Sequence, residues 1–206
     1  MSRWVAVGPE RLAGWIDRFG AGHGGVVQST VDASAVRLTG ADGTVAELMV
    51  PFPPLGGSVP ADLVAHALVE RRVGVLLVRL GGYAAGVFEG SRLVGSKVGS
   101  RQVHGRSAAG GQSQQRFARR REGQARQALA AAADTAAAVL LPAASTLDAV
   151  VLGGDRRAVD DVLTDPRLAP LRPLVVEARI DVPDPRLKVL QRAPELYRSV
   201  RIRLSD

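Results

Sequence analysis

The 206 residues carry a formal net charge of +7, include no cysteine, and are 46% hydrophobic and 23% charged. This composition is typical of a folded chain with one sizeable core, and the lack of cysteine excludes disulfides, thiolate nucleophiles and cysteine-based zinc sites. Charges are scattered through the first residues and no apolar run approaches ~20 residues, so we expect a cytoplasmic protein with no membrane contact.

The N-terminal part is predicted to form a small α+β unit over residues 1–57. A helix is followed by GAGHGG and by three strand-like runs, and PFPPLGG at 51–57 indicates a boundary. GAGHGG matches a dinucleotide-binding pattern, but it follows a helix and precedes a strand, so we interpret it as a connector. Trp4 and Trp15 are interpreted as core anchors of this unit. The predicted elements are a helix at 9–19 and strands at 25–30, 35–38 and 44–50.

Residues 58–206 are predicted to form the main domain, of α+β or α/β class with a mixed β-sheet. Three apolar runs separated by glycine-containing turns indicate a β-meander, which leads into a side-chain-poor, mobile loop at about 101–113 and then an alanine-rich helix. Strands and helices alternate after it, which indicates a βαβ-like tail. The predicted elements are a helix from about 60, strands at 73–80, 83–89 and 92–98, a helix at 114–141, a strand at 147–152, a helix at 155–163, a strand at 174–177, a helical turn at 186–191 and a strand at 197–204 that closes the sheet.

Positive charge is concentrated in one segment, 97–126. The segment has eight basic residues and a single acid, Glu122, so its net charge equals that of the whole chain. A solvated helix face normally interleaves acids with its bases, and the asymmetry therefore favours a polyphosphate partner such as RNA. The basic residues are Lys97, Arg101, Arg106, Arg116, Arg119, Arg120, Arg121 and Arg126.

The same segment contains a recognisable motif, GRSAAGGQSQQRFARRR at 105–121. GGQS followed by RFAR at the start of an arginine-rich helix resembles the catalytic loop of archaeal and eukaryotic class-I peptide-chain release factors. The wider order of meander, loop, alanine-rich helix and compact tail is similar to the actinobacterial branch of the Vms-like release-factor family. The resemblance implies a release-factor catalytic domain with an RNase-H-like sheet and a long helix after the GGQ loop.

The resemblance also implies a function and a site. The function would be peptidyl-tRNA hydrolysis on stalled large ribosomal subunits, in rescue or quality control, by a monomer that contacts ribosomal RNA and peptidyl-tRNA but not DNA, and needs no cofactor or metal. Two adjacent glycines lack Cβ atoms and can enter a narrow, RNA-walled site. The implied catalytic residues are Gly110, Gly111 and Gln112, with Gln114 or Gln115 as the alternative glutamine. The implied RNA-binding residues are Arg101, Arg106, Arg116, Arg119, Arg120 and Arg121, whose guanidinium groups suit phosphate contacts.

Two other functions remain open from the residues alone. A factor that binds the ribosome through the same arginines without catalysis would show the same charge pattern. A nuclease that cuts the tRNA acceptor end would want paired carboxylates for a metal or a base, and the loop has none. His104 could serve as a base, but its neighbours include no carboxylate to orient it.

Overall fold

The computed structural model describes residues 2–79, 81–101 and 113–205, without the side chains of 113–121. The chain divides into two compact units: Met1–Glu70 together with Pro194–Asp206, and Arg71–Ala193. This division differs from the boundary near residue 57 expected from PFPPLGG. The helix after that segment and the C-terminal strand both belong to the first unit.

The first unit is a five-stranded antiparallel sheet with two helices. The strand order is β1-β10-β4-β3-β2, so the C-terminal strand lies inside the sheet, paired with β1 on one side and β4 on the other. We expected this strand to close the sheet of the main domain, and that expectation was wrong because its partners come from the N-terminal part. The elements are β1 (Ser2–Val7), α1 (Pro9–Gly22), β2 (Val26–Val31), β3 (Ala35–Gly40), β4 (Val45–Met49), α2 (Pro60–Leu68), α6 (Ala193–Tyr197) and β10 (Val200–Ser205).

One face of this sheet is buried and the other is open. Leu38, Leu48 and Ile202 point to the buried face, where Leu12 and Phe19 of α1 complete the core. Because side chains alternate along a strand, their sequence neighbours lie on the opposite face. Trp4 also lies on this open face, because it is paired with Arg203, the neighbour of Ile202. Its surface is 48% exposed, so the prediction that it anchors the core was wrong. No strand was predicted at residues 2–7, and its face could not be assigned without its partner.

The second unit has the mixed α+β architecture predicted for the main domain. Its strand order is β7-β6-β5-β8-β9, in which β5, β6 and β7 form an antiparallel meander and β8 and β9 run parallel to β5. The mixed sheet with a meander and a βαβ-like tail is therefore confirmed. The elements are β5 (Arg72–Arg79), β6 (Gly82–Glu89), β7 (Arg92–Ser100), α3 (Ser113–Leu140), a 3-10 helix (Leu141–Thr146), β8 (Ala149–Gly154), α4 (Arg156–Leu163), a 3-10 helix (Pro166–Leu174), β9 (Val175–Ile180) and α5 (Leu187–Gln191).

The alanine-rich helix α3 packs on the sheet of this unit. Ala132, Ala136 and Leu140 are fully buried, and the small alanine side chains let the helix lie close to β6.

Within the described chain, the stretch Glu122–Thr146 is long and apolar enough, by length and composition, to cross a membrane. We expected no such stretch. Its buried residues belong to the core of this unit, so we assign it as a core helix.

An ion-paired cluster ties α3 to the second 3-10 helix of this unit. Asp165 accepts the backbone N–H of Arg167 at 2.9 Å, and the Arg167 guanidinium contacts Asp165 at 2.7 Å and Asp134 of α3 at 2.8 Å. The side-chain hydrogen bond from Arg167, followed by the backbone one, lowers the pKa of Asp165 from 3.8 to about 2. The ionised form of Asp165 is thus favoured in the folded protein.

We expect Asp165→Asn to lower the free energy of unfolding at pH 7. The pKa of Asp165 is lower in the folded chain, so its contribution to stability is present above pH 3.8 and is lost as the pH falls through about 2. The difference between the variant and the original protein should therefore shrink between pH 4 and pH 2, measured by urea unfolding. Asp181→Asn is the control, because Asp181 is exposed and its contact with Arg79 is long, at 3.4 Å. A difference that is the same at both ends of this pH range would contradict the assignment.

Candidate functional site

The GGQ-containing segment connects the edge strand β7 to the start of α3. β7 ends at Ser100 and α3 begins at Ser113. The backbone N–H of Arg101 donates to the carbonyl of Gly81 at 2.8 Å, next to the Gly82–Ser100 pair of the β6–β7 ladder. The first residue after β7 is thereby fixed to the turn between β5 and β6.

The last residues of β7 are packed by one aromatic ring. A Cβ atom at Gly99 would lie 2.5 Å from Cε2 of Tyr83, so the Tyr83 ring occupies the space beside the strand that any other residue would need. Tyr83 is buried in the core of this unit. The glycine therefore lets the strand lie against the ring two residues before the segment begins.

The helix on the other side of the segment is anchored by its second half. Among its described side chains, Glu122 and Arg126 are exposed and Ala128 is the first buried one. At 1.5 Å per residue, the helix start at Ser113 lies about 22 Å along the axis from Ala128. Of the eight basic residues between 97 and 126, three have described side chains, and all three are exposed: Lys97 on β7, Arg101 directly after it, and Arg126 on α3.

The structure places the predicted site residues as follows. Arg101 is described and exposed, at the end of β7. The positions of Gln114, Gln115, Arg116, Arg119, Arg120 and Arg121 lie on the first turns of α3, with their side chains outside the description. Gly110, Gly111, Gln112, Arg106 and His104 lie outside the described residues, as does most of the loop predicted at 101–113. On a helical backbone, positions 116, 119 and 120 share one face, as the spacing predicted.

A cleft of about 260 Å³ lies at the end of the sheet where this segment leaves it. Its walls come from the β5–β6 turn with Tyr83, from α3 at Ala125 and Leu129, and from Asp161 of α4 together with Asp155 directly before that helix. The Asp155 carboxylate is used locally, since it accepts the backbone N–H of Ala158 at 3.0 Å and caps α4. Across residues 2–79, 81–101 and 113–205, three or more His, Asp or Glu side chains nowhere come together in a group that could hold a metal ion.

This cleft was not predicted from the sequence. Two glycine pairs, at 81–82 and 153–154, were the available signal, because adjacent glycines at the ends of strands often mark a close backbone approach. What these glycines approach depends on which strands are neighbours. β5 pairs with β8, which lies about 75 residues further along the chain, and such a distant pairing is not predictable from local sequence.

Comparison with known proteins assigns the chain to a class and then to a family. The class is that of release factors: the family model described as Actinobacteria/chloroflexi VLRF1 release factor matches residues 71–203. Since the match covers well over half of the chain, the protein belongs to this family, as the resemblance of the loop predicted.

The solved structures that are similar to this chain include two archaeal ones. The first is titled crystal structure of archaeal translation termination factor, aRF1, with 14% sequence identity and a TM-score of 0.46 over 96% of this chain and 66% of that one. The second is titled archaeal protein, with 15% identity and a TM-score of 0.40 over 78% of this chain and 52% of that one. The chain thus spans about two thirds of the first structure and half of the second. No curated protein matches the chain.

Proposed function

We propose that this protein is a ribosome-dependent peptidyl-tRNA hydrolase that releases nascent peptides from tRNA on stalled large subunits. The observation that carries the proposal is the position of GGQ in the sequence, between the edge strand β7 and a long helix with four arginines among its first nine residues, in a chain of a release-factor family. We further propose that it acts as a cytoplasmic monomer.

The proposed chemistry is ester hydrolysis with few demands on the protein. A water oxygen attacks the carbonyl carbon of the peptidyl ester, and the bond to the ribose oxygen breaks. The ribose oxygen takes up the proton that the water gives up, which leaves a peptide carboxylic acid and a tRNA hydroxyl. The backbone N–H at Gln112 stabilises the charge that develops on the leaving ribose oxygen, and the neutral side-chain amide of Gln112 orients the water. Ribosomal RNA supplies the rest of the surroundings, so the loop needs reach and a small cross-section, which Gly110 and Gly111 provide.

The test is incubation of the purified protein with large subunits that carry peptidyl-tRNA labelled in both the peptide and the tRNA. Release of peptide together with full-length tRNA supports hydrolysis. Stable binding without release supports the non-catalytic factor, and shortened tRNA supports the nuclease. Either of these two outcomes would overturn the proposal.

The arginines of α3 are proposed to hold the loop against RNA phosphates. We expect Arg119→Ala with Arg120→Ala to weaken subunit binding and to lower the slope of log affinity against log salt by about 1.4 to 1.8. For each phosphate contact that is lost, about one counterion fewer is released from the RNA on binding. Co-sedimentation at several salt concentrations measures both. Arg11→Ala with Arg18→Ala removes the same charge from exposed positions on α1 and serves as the control. An unchanged salt slope in the α3 variant would reject the phosphate role.

A further inference from the structure

The open face of the first unit's sheet carries a continuous row of polar and aromatic side chains. Across the five strands the register aligns Trp4, Arg203, Glu47, Arg37 and Thr30, one from each strand. The opposite face of the same strands is closed by the core with α1 and α2. This row lies on the face that the described residues of the unit leave uncovered.

The face is strongly biased towards positive charge. The strand residues on this face include three arginines, Arg37, Arg201 and Arg203, and one acid, Glu47. Arg37 and Arg203 both bind that carboxylate, at 2.9 and 2.5 Å, yet their side chains remain 54% and 46% exposed while Glu47 is only 16% exposed. One carboxylate thus holds two guanidinium groups in place without neutralising both. Arg201, two residues before Arg203, lies on the same face.

An aromatic ring lies beside these charges. The guanidinium carbons of Arg201 and Arg203 are 4.8 and 6.0 Å from the centroid of the Trp4 ring. Such cation–π contacts hold the indole in place, although about half of it is exposed. Next to it, a hollow of about 410 Å³ is lined by Arg37, Glu47 and Arg203 together with the amide of Gln28 and the hydroxyls of Thr30 and Thr39.

We propose that this open face binds single-stranded RNA, with Arg37, Arg201 and Arg203 on the phosphates and a base stacked at Trp4. Guanidinium groups bind phosphates in pairs of hydrogen bonds, and an exposed ring on a sheet stacks bases without reading their sequence. Hydroxyl and amide side chains in the hollow can contact the 2′-hydroxyl. Most of this surface lies before residue 71, where the family match begins. It belongs to a different unit from β7 and α3, which flank the GGQ segment, and the inference does not depend on the proposed chemistry.

The test measures binding of a short, fluorescently labelled oligouridylate to the full chain. All variants also carry Arg119→Gln and Arg120→Gln, so the contribution of α3 is lowered and equal in all of them. The assay measures RNA binding alone, so failure of the proposed hydrolysis does not affect the result. We expect Arg37→Gln with Arg201→Gln to weaken binding on the order of tenfold and to lower the salt slope by about 1.4. This pair leaves Arg203 to neutralise Glu47, which protects the fold.

Two further variants separate RNA binding from a structural role. Arg11→Gln with Arg18→Gln removes the same charge from α1, on the other side of the sheet, and should change affinity less than twofold. Glu47→Gln should bind RNA severalfold more tightly, because both guanidinium groups are then free of a carboxylate; a purely structural role predicts no gain. Equal affinities of the α1 and sheet variants, or complete displacement of RNA by polyglutamate of equal length, would overturn the proposal. The second result would indicate an acidic protein partner.

The contact at Trp4 has its own readout. The chain contains two tryptophans, so Trp15→Phe leaves Trp4 as the only one. Its fluorescence should be quenched when oligouridylate binds, and Arg37→Gln with Arg201→Gln should shift the quenching to higher RNA concentrations. Binding without any change in Trp4 fluorescence would contradict stacking at this ring.

Discussion

Gly111→Val is expected to abolish peptide release while leaving subunit binding within about twofold. The proposed chemistry needs the backbone N–H at Gln112 against the reacting ester, and a branched side chain one residue earlier would both widen the loop and exclude positive φ. Loss of one hydrogen-bond donor to a developing oxyanion costs on the order of 10² to 10³ in rate. Single-turnover release from labelled peptidyl-tRNA complexes measures the effect, and co-sedimentation measures binding.

The glutamine variants resolve which side chain acts. Gln112→Ala should slow release strongly if the first glutamine orients the water, whereas Gln114→Ala or Gln115→Ala should do so if a later one does. Gly123→Ala, in α3 with open space around its Cα, is the matched control and should release peptide at the original rate. If Gly111→Val and all three glutamine variants release peptide normally, the loop is not the catalytic element.

Gly154→Ala is expected to destabilise the protein by about 2 to 4 kcal/mol. Gly154 ends β8 with a φ of +94°, and a Cβ there would lie 2.3 Å from the carbonyl oxygen of Val78. That oxygen accepts the backbone N–H of Asp155 at 2.8 Å, so the added methyl group would strain the backbone and separate β5 from β8 where α4 begins.

The same substitution at Gly123 should have the opposite sign. A Cβ at this position meets nothing within 4 Å, and alanine favours an exposed helix by about 0.5 to 1 kcal/mol over glycine. Urea unfolding followed by circular dichroism measures both variants. A Gly154→Ala protein as stable as the original would show that the close approach of β8 to Val78 is not required.

Local patterns predicted most of the second unit because its elements depend on nearby residues. Asp155 before an amphipathic run predicted α4, and it caps that helix. Turns with Gly81 and Gly90 separated three apolar runs, and these became β5, β6 and β7. The helix α3 begins within one residue of its expected start because the alanine run favours a helix wherever it lies.

The first unit was predicted less well because its sheet depends on distant partners. β1 pairs with β10, and Ser2 lies opposite Ser205. No local pattern encodes a pairing across such a separation, so β1 was missed, β10 was assigned to the wrong sheet, and Trp4 was assigned to the wrong face. The motif at 110–112 was recognisable by residue identity alone, whereas the cleft lined by Tyr83, α3 and α4 depends on tertiary neighbours.

The interior position of β10 also orders events during synthesis of this protein. β1 and β4 leave the ribosome early, but the strand that joins them is the last of the described strands to be translated. Contacts between such distant residues form slowly, because a long loop must close before they can stabilise the fold. The N-terminal sheet therefore stays in two pieces until the second unit has been synthesised, and a nascent chain that stalls before residue 200 lacks the strand that unites them.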